Sequence, residues 1–138
     1  MTQEPDTEQL RGIPRIVKYI VIHCSAPHIG DDPAMFACHF YLPRDGSIKQ
    51  PLDLETIGRH TKGFNNQSIG ICYEGGADED GLPSDTRTAE QRRALKTLVR
   101  TLKESYPDAV VVGHNQLMVY TGVNVCPAFD VGSDGFDC

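Results

Sequence analysis

The sequence lacks any apolar run long enough to cross a bilayer, since its longest, around residues 20–22, has the length of one β-strand. It also lacks the cationic start and apolar stretch of a secretion signal, because residues 1–10 are polar and acidic. We therefore expect synthesis in the cytoplasm without membrane association. Any action on the outside of the cell would then need another route of release.

An excess of positive charge is missing as well. The chain carries 13 Lys and Arg against 19 Asp and Glu, which gives a formal net charge of −6. Nucleic acids and anionic membranes attract cationic surfaces, so this balance argues against either as the main partner. The length of 138 residues and the 39% hydrophobic content predict one globular domain, residues 14–138, behind a polar arm, residues 1–13. We expect a monomer.

The cysteines do not have the even number and the spacing of a disulfide scaffold. There are five, so at least one is unpaired within the chain. In a chain without a signal-like start, reduced thiols or metal ligation are favoured over disulfides.

The hydrophobic pattern predicts an α/β domain. Four segments have the β-branched and apolar content of strands: 15–23, 36–42, 68–73 and 109–112. Arg44-Asp45-Gly46 predicts a tight turn into a further strand at 47–50. One helix is predicted from a capping box at 88–91 and an apolar stripe that ends before Pro107. This order predicts a mixed central β-sheet with the helix packed on one face.

Three residues of the types that bind zinc lie at predicted strand or loop ends, namely His23, His114 and Cys126. Two imidazoles and a thiolate would leave the fourth tetrahedral position for water, which is the arrangement of a catalytic zinc site. Five histidines and five cysteines allow many other triads. The residue types alone therefore do not single out this one.

A set of motifs in a fixed order resembles the zinc-dependent N-acetylmuramoyl-L-alanine amidase family, which includes T7-phage-type lysozymes and peptidoglycan recognition proteins. The motifs are IVIHCSA at 20–26, HF at 39–40 with RDG at 44–46, GRHTKGFNNQSIGICYEGG at 58–76, GH at 113–114 and CPAFD at 126–130. The resemblance implies a central sheet with flanking helices. It also implies hydrolysis of the amide between N-acetylmuramic acid and L-alanine by a zinc-activated water, with peptidoglycan or muropeptide as the partner. Its Zn²⁺ ligands fall on His23, His114 and Cys126.

The same resemblance implies that His60 and Lys62 contact the substrate; a solvated polar loop is the alternative. The family's first helix, between the first two strands, would be shortened or missing here.

This chain departs from the family at three catalytic positions. Where the lysozyme branch has a tyrosine and a lysine, this chain has Cys38 and Asn124, and where a related branch has a glutamate it has Cys72. Asn124 can still donate through its amide. Glu74 shares the face of Cys72 under strand alternation, so it is either a displaced base or a solvated residue at the strand exit.

Strand alternation also predicts where the neighbours of Cys38 point. Tyr41, three positions on, is expected on the opposite face, and so is His39. Cys38 itself is either a small buried hydrophobe or an additional thiolate that would close the zinc site as His₂Cys₂.

Three functions remain open on the sequence. The first is a zinc amidase. The second is a peptidoglycan-binding module that keeps the metal without catalysis, and the third is a regulatory protein acting through partner contacts, for which the acidic loop 78–85 is a candidate surface.

Overall fold

The computed structural model describes residues 15–25, 38–61, 63–117 and 127–132. Four strands are present there: β1 (Tyr19–Cys24), β2 (Phe40–Leu42), β3 (Ser68–Tyr73) and β4 (Val110–Gly113). One α-helix, α1 (Ala89–Ser105), lies between β3 and β4. Short 3₁₀ turns occupy Asn65–Gln67 and His114–Leu117. The predicted α/β class is confirmed.

The four strands form one sheet in the order β2-β3-β1-β4, and each neighbouring pair is parallel. The prediction of a mixed sheet is therefore wrong for these strands. The predicted strand at 47–50 is reduced to one antiparallel bridge, between Tyr41 and Lys49. Parallel strands need both faces covered, which explains why 68–73 and 110–113 are buried along almost their whole length.

The sheet has two faces that differ in chemistry. On the apolar face, the strands contribute the aliphatic part of one hydrophobic core, which includes Ile20, Ile22, Ile69, Ile71 and Val111. Residues at alternate positions point to the other face, which we call the histidine face because His23 lies on it. In register across that face, His23 pairs with Cys72, and Cys72 pairs with Tyr41.

Helix α1 covers the apolar face. Its buried side chains Leu95, Leu98, Val99 and Leu102 belong to the same core as the strands. The predicted capping box is confirmed: the Thr88 hydroxyl accepts from the Gln91 N–H, and the Gln91 side chain accepts from the Thr88 N–H. The Gln91 amide also donates to the carbonyls of Leu42 and Glu74, which fixes the start of the helix to the ends of β2 and β3.

The segment 127–132 is anchored near the carboxyl ends of the strands. The Tyr73 hydroxyl donates to the Pro127 carbonyl oxygen at 2.5 Å. The Arg87 guanidinium lies 3.4 Å from the centre of the Phe129 ring, and Val131 is buried in the core. This segment is therefore fixed beside β3 and β4 by polar, cation–π and apolar contacts together.

Two predictions fall outside the described residues. These are the polar arm at 1–13 and the shortened or missing helix between β1 and β2, in 26–37. None of the helices in the described ranges combines the length and the apolar character needed to span a bilayer.

Candidate metal centre

The structure brings His23 and His114 together at the carboxyl edge of the sheet. His23 is the next-to-last residue of β1, and His114 follows directly on β4, whose last residue, Gly113, pairs with Ile22. The two ring centroids are 4.7 Å apart. Two imidazoles bound to one tetrahedral zinc, with Zn–N near 2.0–2.1 Å, would have centroids about 5 Å apart. The observed separation therefore fits a shared ion.

Two more imidazoles continue this arrangement across the sheet. The centroid of His60 lies 5.0 Å from that of His23, and the centroid of His39 lies 5.7 Å from that of His60. We call this set, in the order His39, His60, His23 and His114, the histidine row. Four of the five histidines of the sequence belong to it.

The members of the histidine row are held in the neutral form. Burial lowers the pKa of His23 well below its usual value, and the neighbouring His60 and His114 lower it further. Burial, then His39, His114 and Arg15, lower the pKa of His60 to about 3. Burial also lowers the pKa of His114. Neutral imidazole is the form that binds a metal, so the protonation states suit a cation site.

His60 rests directly on the backbone of β3. A Cβ atom at Gly70 would lie 2.7 Å from Cγ of His60, so a side chain at Gly70 would displace the ring. The His60 ring and the Thr61 side chain are both buried, which contradicts the alternative of a solvated loop for these two residues. Contact of His60 with a substrate stays a prediction, and Lys62 lies outside the described residues.

His39 is fully buried, and both of its ring nitrogens have hydrogen-bond partners. Its Nδ1 accepts from the Gly70 N–H at 3.0 Å, and its Nε2 donates to the Thr56 carbonyl oxygen at 2.6 Å. Its ring neighbours His60, so the expectation that it points across the sheet, away from the site, is wrong. Its hydrogen bonds tie the loop before β2 to β3.

Cys38 and Tyr41 lie on the same side, contrary to prediction. Together with Cys72 they form a small buried cluster on the histidine face. Alternation failed because Cys38 and His39 form a bend, and β2 begins only at Phe40. The observed surroundings of Cys38 are those of a small buried hydrophobe.

The remaining site residues predicted from the sequence are Glu74, Asn124 and Cys126. The Glu74 carboxylate accepts from the Arg44 N–H at 3.0 Å, just beyond the ends of β2 and β3. Asn124 and Cys126 lie outside the described residues. Within the described part of the chain no three His, Cys, Asp or Glu side chains converge as a metal site would require, so Cys38 does not complete a site with His23 and His114 there.

The contact between His60 and His23 was missed by the sequence reasoning. Nδ1 of His60 lies 3.0 Å from Nε2 of His23, and the Thr61 hydroxyl lies 2.8 Å from the first atom and 3.3 Å from the second. The one available signal was the His60-Thr61 pair in a loop that continues with Gly63, Asn65 and Asn66. That pattern does not reveal which strand the loop covers.

A surface cavity of about 410 Å³ opens between the residues that follow His114 and the segment 127–132. Its wall includes Asn115 and Gln116, which follow His114 in the chain, and Phe129 and Asp130. The cavity is next to His114 in sequence, and no member of the histidine row lines it.

Comparison with known proteins places this geometry in a family. The profile of the family described as "N-acetylmuramoyl-L-alanine amidase" matches residues 13–129. The endolysins of Enterobacteria phage K11 and Escherichia phage T7 are each 36% identical over 93 residues, which is 67% of this chain and 59% of each relative. The chain thus corresponds to little more than half the length of these curated relatives.

Solved structures share the fold. The N-acetylmuramoyl-L-alanine amidase LysC from Clostridium intestinale superposes with a TM-score of 0.71 at 22% identity, covering 87% of this chain and 82% of that one. The Ph2119 endolysin from a Thermus scotoductus bacteriophage gives 0.68 at 24% identity, covering 86% and 82%. A human PGRP in complex with glycosamyl muramyl pentapeptide gives 0.62 at 19%, covering 83% and 80%. On the match of residues 13–129, the chain belongs to the N-acetylmuramoyl-L-alanine amidase family.

Proposed function

We propose that this domain hydrolyses the amide between N-acetylmuramic acid and L-alanine in peptidoglycan, and that His23, His114 and Cys126 hold the Zn²⁺ that the reaction needs. The observation that carries the proposal is the pair of neutral imidazoles of His23 and His114, with centroids 4.7 Å apart at the carboxyl edge of the sheet. A family whose described activity is this hydrolysis matches most of the chain.

Chain connectivity supports Cys126 as the third ligand. Its neighbour Pro127 packs against the backbone before His114, since a Cβ at Gly113 would lie 2.7 Å from Cδ of Pro127. The Tyr73 hydroxyl holds the Pro127 carbonyl from the other side. Cys126 is covalently bonded to Pro127, which is held beside Gly113, the residue before His114, and a thiolate is a good zinc ligand.

Bound zinc would polarise the amide carbonyl and lower the pKa of a nearby water. The chain's own surroundings would keep the imidazoles of His23 and His114 neutral, the form that binds a metal. Asn124 would donate its amide N–H to the oxygen where negative charge develops. Lys62 is proposed to face the sugar or peptide. Glu74 would have to leave the Arg44 N–H to act as a base.

The test is digestion of purified muropeptides by the zinc-loaded protein, followed by mass spectrometry. We expect free stem peptide with an N-terminal L-alanine, and its loss after chelation of the metal. Intact muropeptides, under conditions where a known amidase cleaves them, would contradict the proposal.

A second candidate is a peptidoglycan-binding module that keeps the metal without turnover. One observation favours it. Cys38 and Cys72 are buried in the same small cluster, at the two positions where family branches carry a tyrosine and a glutamate. Neither cysteine offers a phenol or a carboxylate for catalysis. This function predicts saturable muropeptide binding without cleavage. It also predicts that Cys38→Tyr combined with Asn124→Lys creates activity, and an inactive double variant that is folded and zinc-bound would count against it.

We propose that the site of action is the cell wall. The support is the name endolysin carried by the phage relatives.

A further inference from the structure

His60 contacts a proposed metal ligand rather than open solvent. Its Nδ1 is 3.0 Å from Nε2 of His23, and the Thr61 hydroxyl lies within 3.3 Å of both atoms. The His60 ring is fixed from below by the bare backbone of Gly70. Its other nitrogen, Nε2, is buried and has no hydrogen-bond partner in the described part of the chain. The polar contacts of this ring are therefore concentrated on His23 and Thr61.

The contact between the two ring nitrogens requires one proton between them. If that proton belonged to His60, neutral His23 would carry its own proton on Nδ1, and neither nitrogen of His23 would have a lone pair for a metal. If it belongs to Nε2 of His23, the Nδ1 lone pair of His23 is free. The Thr61 hydroxyl oxygen, 3.3 Å from Nε2 of His23, can share in accepting the same N–H.

We propose that His60 and Thr61 form a positioning pair, which accepts a hydrogen bond from the Nε2–H of His23 and so presents Nδ1 of His23 to the metal. The inference rests on the proposed function, because it requires His23 to be a ligand. His60 is not itself a ligand in this account: no three of the described His, Cys, Asp or Glu side chains converge on a point. Metal-bound histidines usually donate their second N–H to an outer partner, and here that partner is another imidazole.

The first test measures zinc affinity by competition with a chromophoric chelator. His60→Phe keeps a ring over Gly70 but has no acceptor, and we expect affinity to fall about 10–100-fold, the usual effect of losing an outer-shell partner. His60→Asn places an amide oxygen near the position of Nδ1 and should keep most of the affinity. Thr61→Val should cause a smaller loss than His60→Phe, and the exposed neighbour substitution Arg59→Ala should cause none.

A role in packing alone predicts the reverse order, because Phe fills the space of the ring and Asn does not. Equal affinity in wild type and His60→Phe would overturn the inference while leaving the proposed function intact. A wild-type protein that binds no zinc would instead contradict the proposed function itself. The two failures are therefore distinguishable.

The second test needs no variant. Long-range ¹H–¹⁵N spectra of the zinc-loaded wild-type protein identify which ring nitrogen is protonated and which is bound to metal. We expect His23 to carry its proton on Nε2 and to bind through Nδ1. Metal on Nε2 of His23, or on Nδ1 of His60, would overturn the inference.

Discussion

Two adjacent residues of β1 show how differently the faces of this sheet are built. Ile22 is 0% exposed within the aliphatic core under α1, and His23 is 6% exposed among imidazoles on the other face. Burial of Ile22 contributes favourable apolar transfer energy. Burial of His23 costs energy, because it disfavours the charged form and requires hydrogen-bond partners.

The difference shows that strand alternation places the residues that stabilise the fold on one face of the sheet and the candidate functional residues on the other. The apolar face and α1 supply the driving force for folding, and the histidine face is held in place by them. A substitution on one face should therefore affect one property much more than the other.

The largest effect is expected from Cys126→Ser. Loss of a ligand should cost more zinc affinity than the about 10–100-fold lost with an outer-shell partner, and muropeptide cleavage should fall below detection. The matched control is Cys24→Ala, since Cys24 packs against the core on the apolar face. Zinc content by mass spectrometry checks both variants. A Cys126→Ser protein with full zinc content would contradict the assignment of Cys126 as a zinc ligand.

Leu95→Ala tests the apolar face. Leu95 is fully buried between α1 and the sheet, so its truncation should lower the free energy of unfolding by about 2–5 kcal/mol. Zinc affinity of the folded fraction should stay near that of the wild type. Urea unfolding and chelator competition measure the two quantities. A large loss of affinity at full folding would show that the faces are not separable.

Gly70→Ala tests the floor of the histidine face. The new Cβ would lie 2.7 Å from the His60 ring, so we expect an overpacking cost of about 1–3 kcal/mol and weaker zinc binding as His60 moves from His23. Gly132→Ala is the control, since its new Cβ would lie 3.4 Å from Oδ1 of Asp130, an ordinary van der Waals contact. Unchanged affinity in Gly70→Ala would contradict the role given to the His60 contact.

The smallest effect concerns pH. The pKa of His39 is lowered chiefly by burial, with the positive Arg15 nearby adding to it, and that of His60 is lowered to about 3. Because both folded pKa values are lowered, the unfolded chain binds more protons than the folded chain once the pH falls to the unfolded pKa near 6.5. Stability is therefore full above pH 6.5 and falls as pH drops. At pH 5.5 His60 alone should cost the metal-free protein about 1 kcal/mol, because its folded pKa of about 3 keeps it neutral while the unfolded histidine is mostly charged. Urea midpoints that do not fall between pH 7 and 5.5 would contradict this.

Much of the fold was readable from local patterns. The bounds of β3 match the predicted strand at 68–73, and the capping box at Thr88 and Gln91 forms as expected, because both depend on neighbours in the chain. The prediction of a strand at 47–50 was wrong. β2 is only three residues long, so the returning segment forms a single bridge, between Lys49 and Tyr41. The prediction of a mixed sheet was wrong because alternation of apolar residues shows where a strand lies, and it does not show whether two distant strands pair parallel or antiparallel.

The site was predicted only in part. His23 and His114 were identified from ordered motifs, and the structure brings them together. The faces of His39 and Tyr41 were predicted wrongly, because alternation was extended through the bend at 38–39, where the chain is not a strand. The contact of His60 with His23 depends on a loop folding over Gly70, which is a tertiary event without a local signature.

The most direct measurement is an anomalous difference map at the zinc edge, from crystals grown with zinc. We predict one peak within bonding distance of His23, His114 and Cys126, with Cys38 outside the coordination shell and the fourth position open. A peak that excludes residue 126, or a Cys38 sulfur in the fourth position, would contradict it.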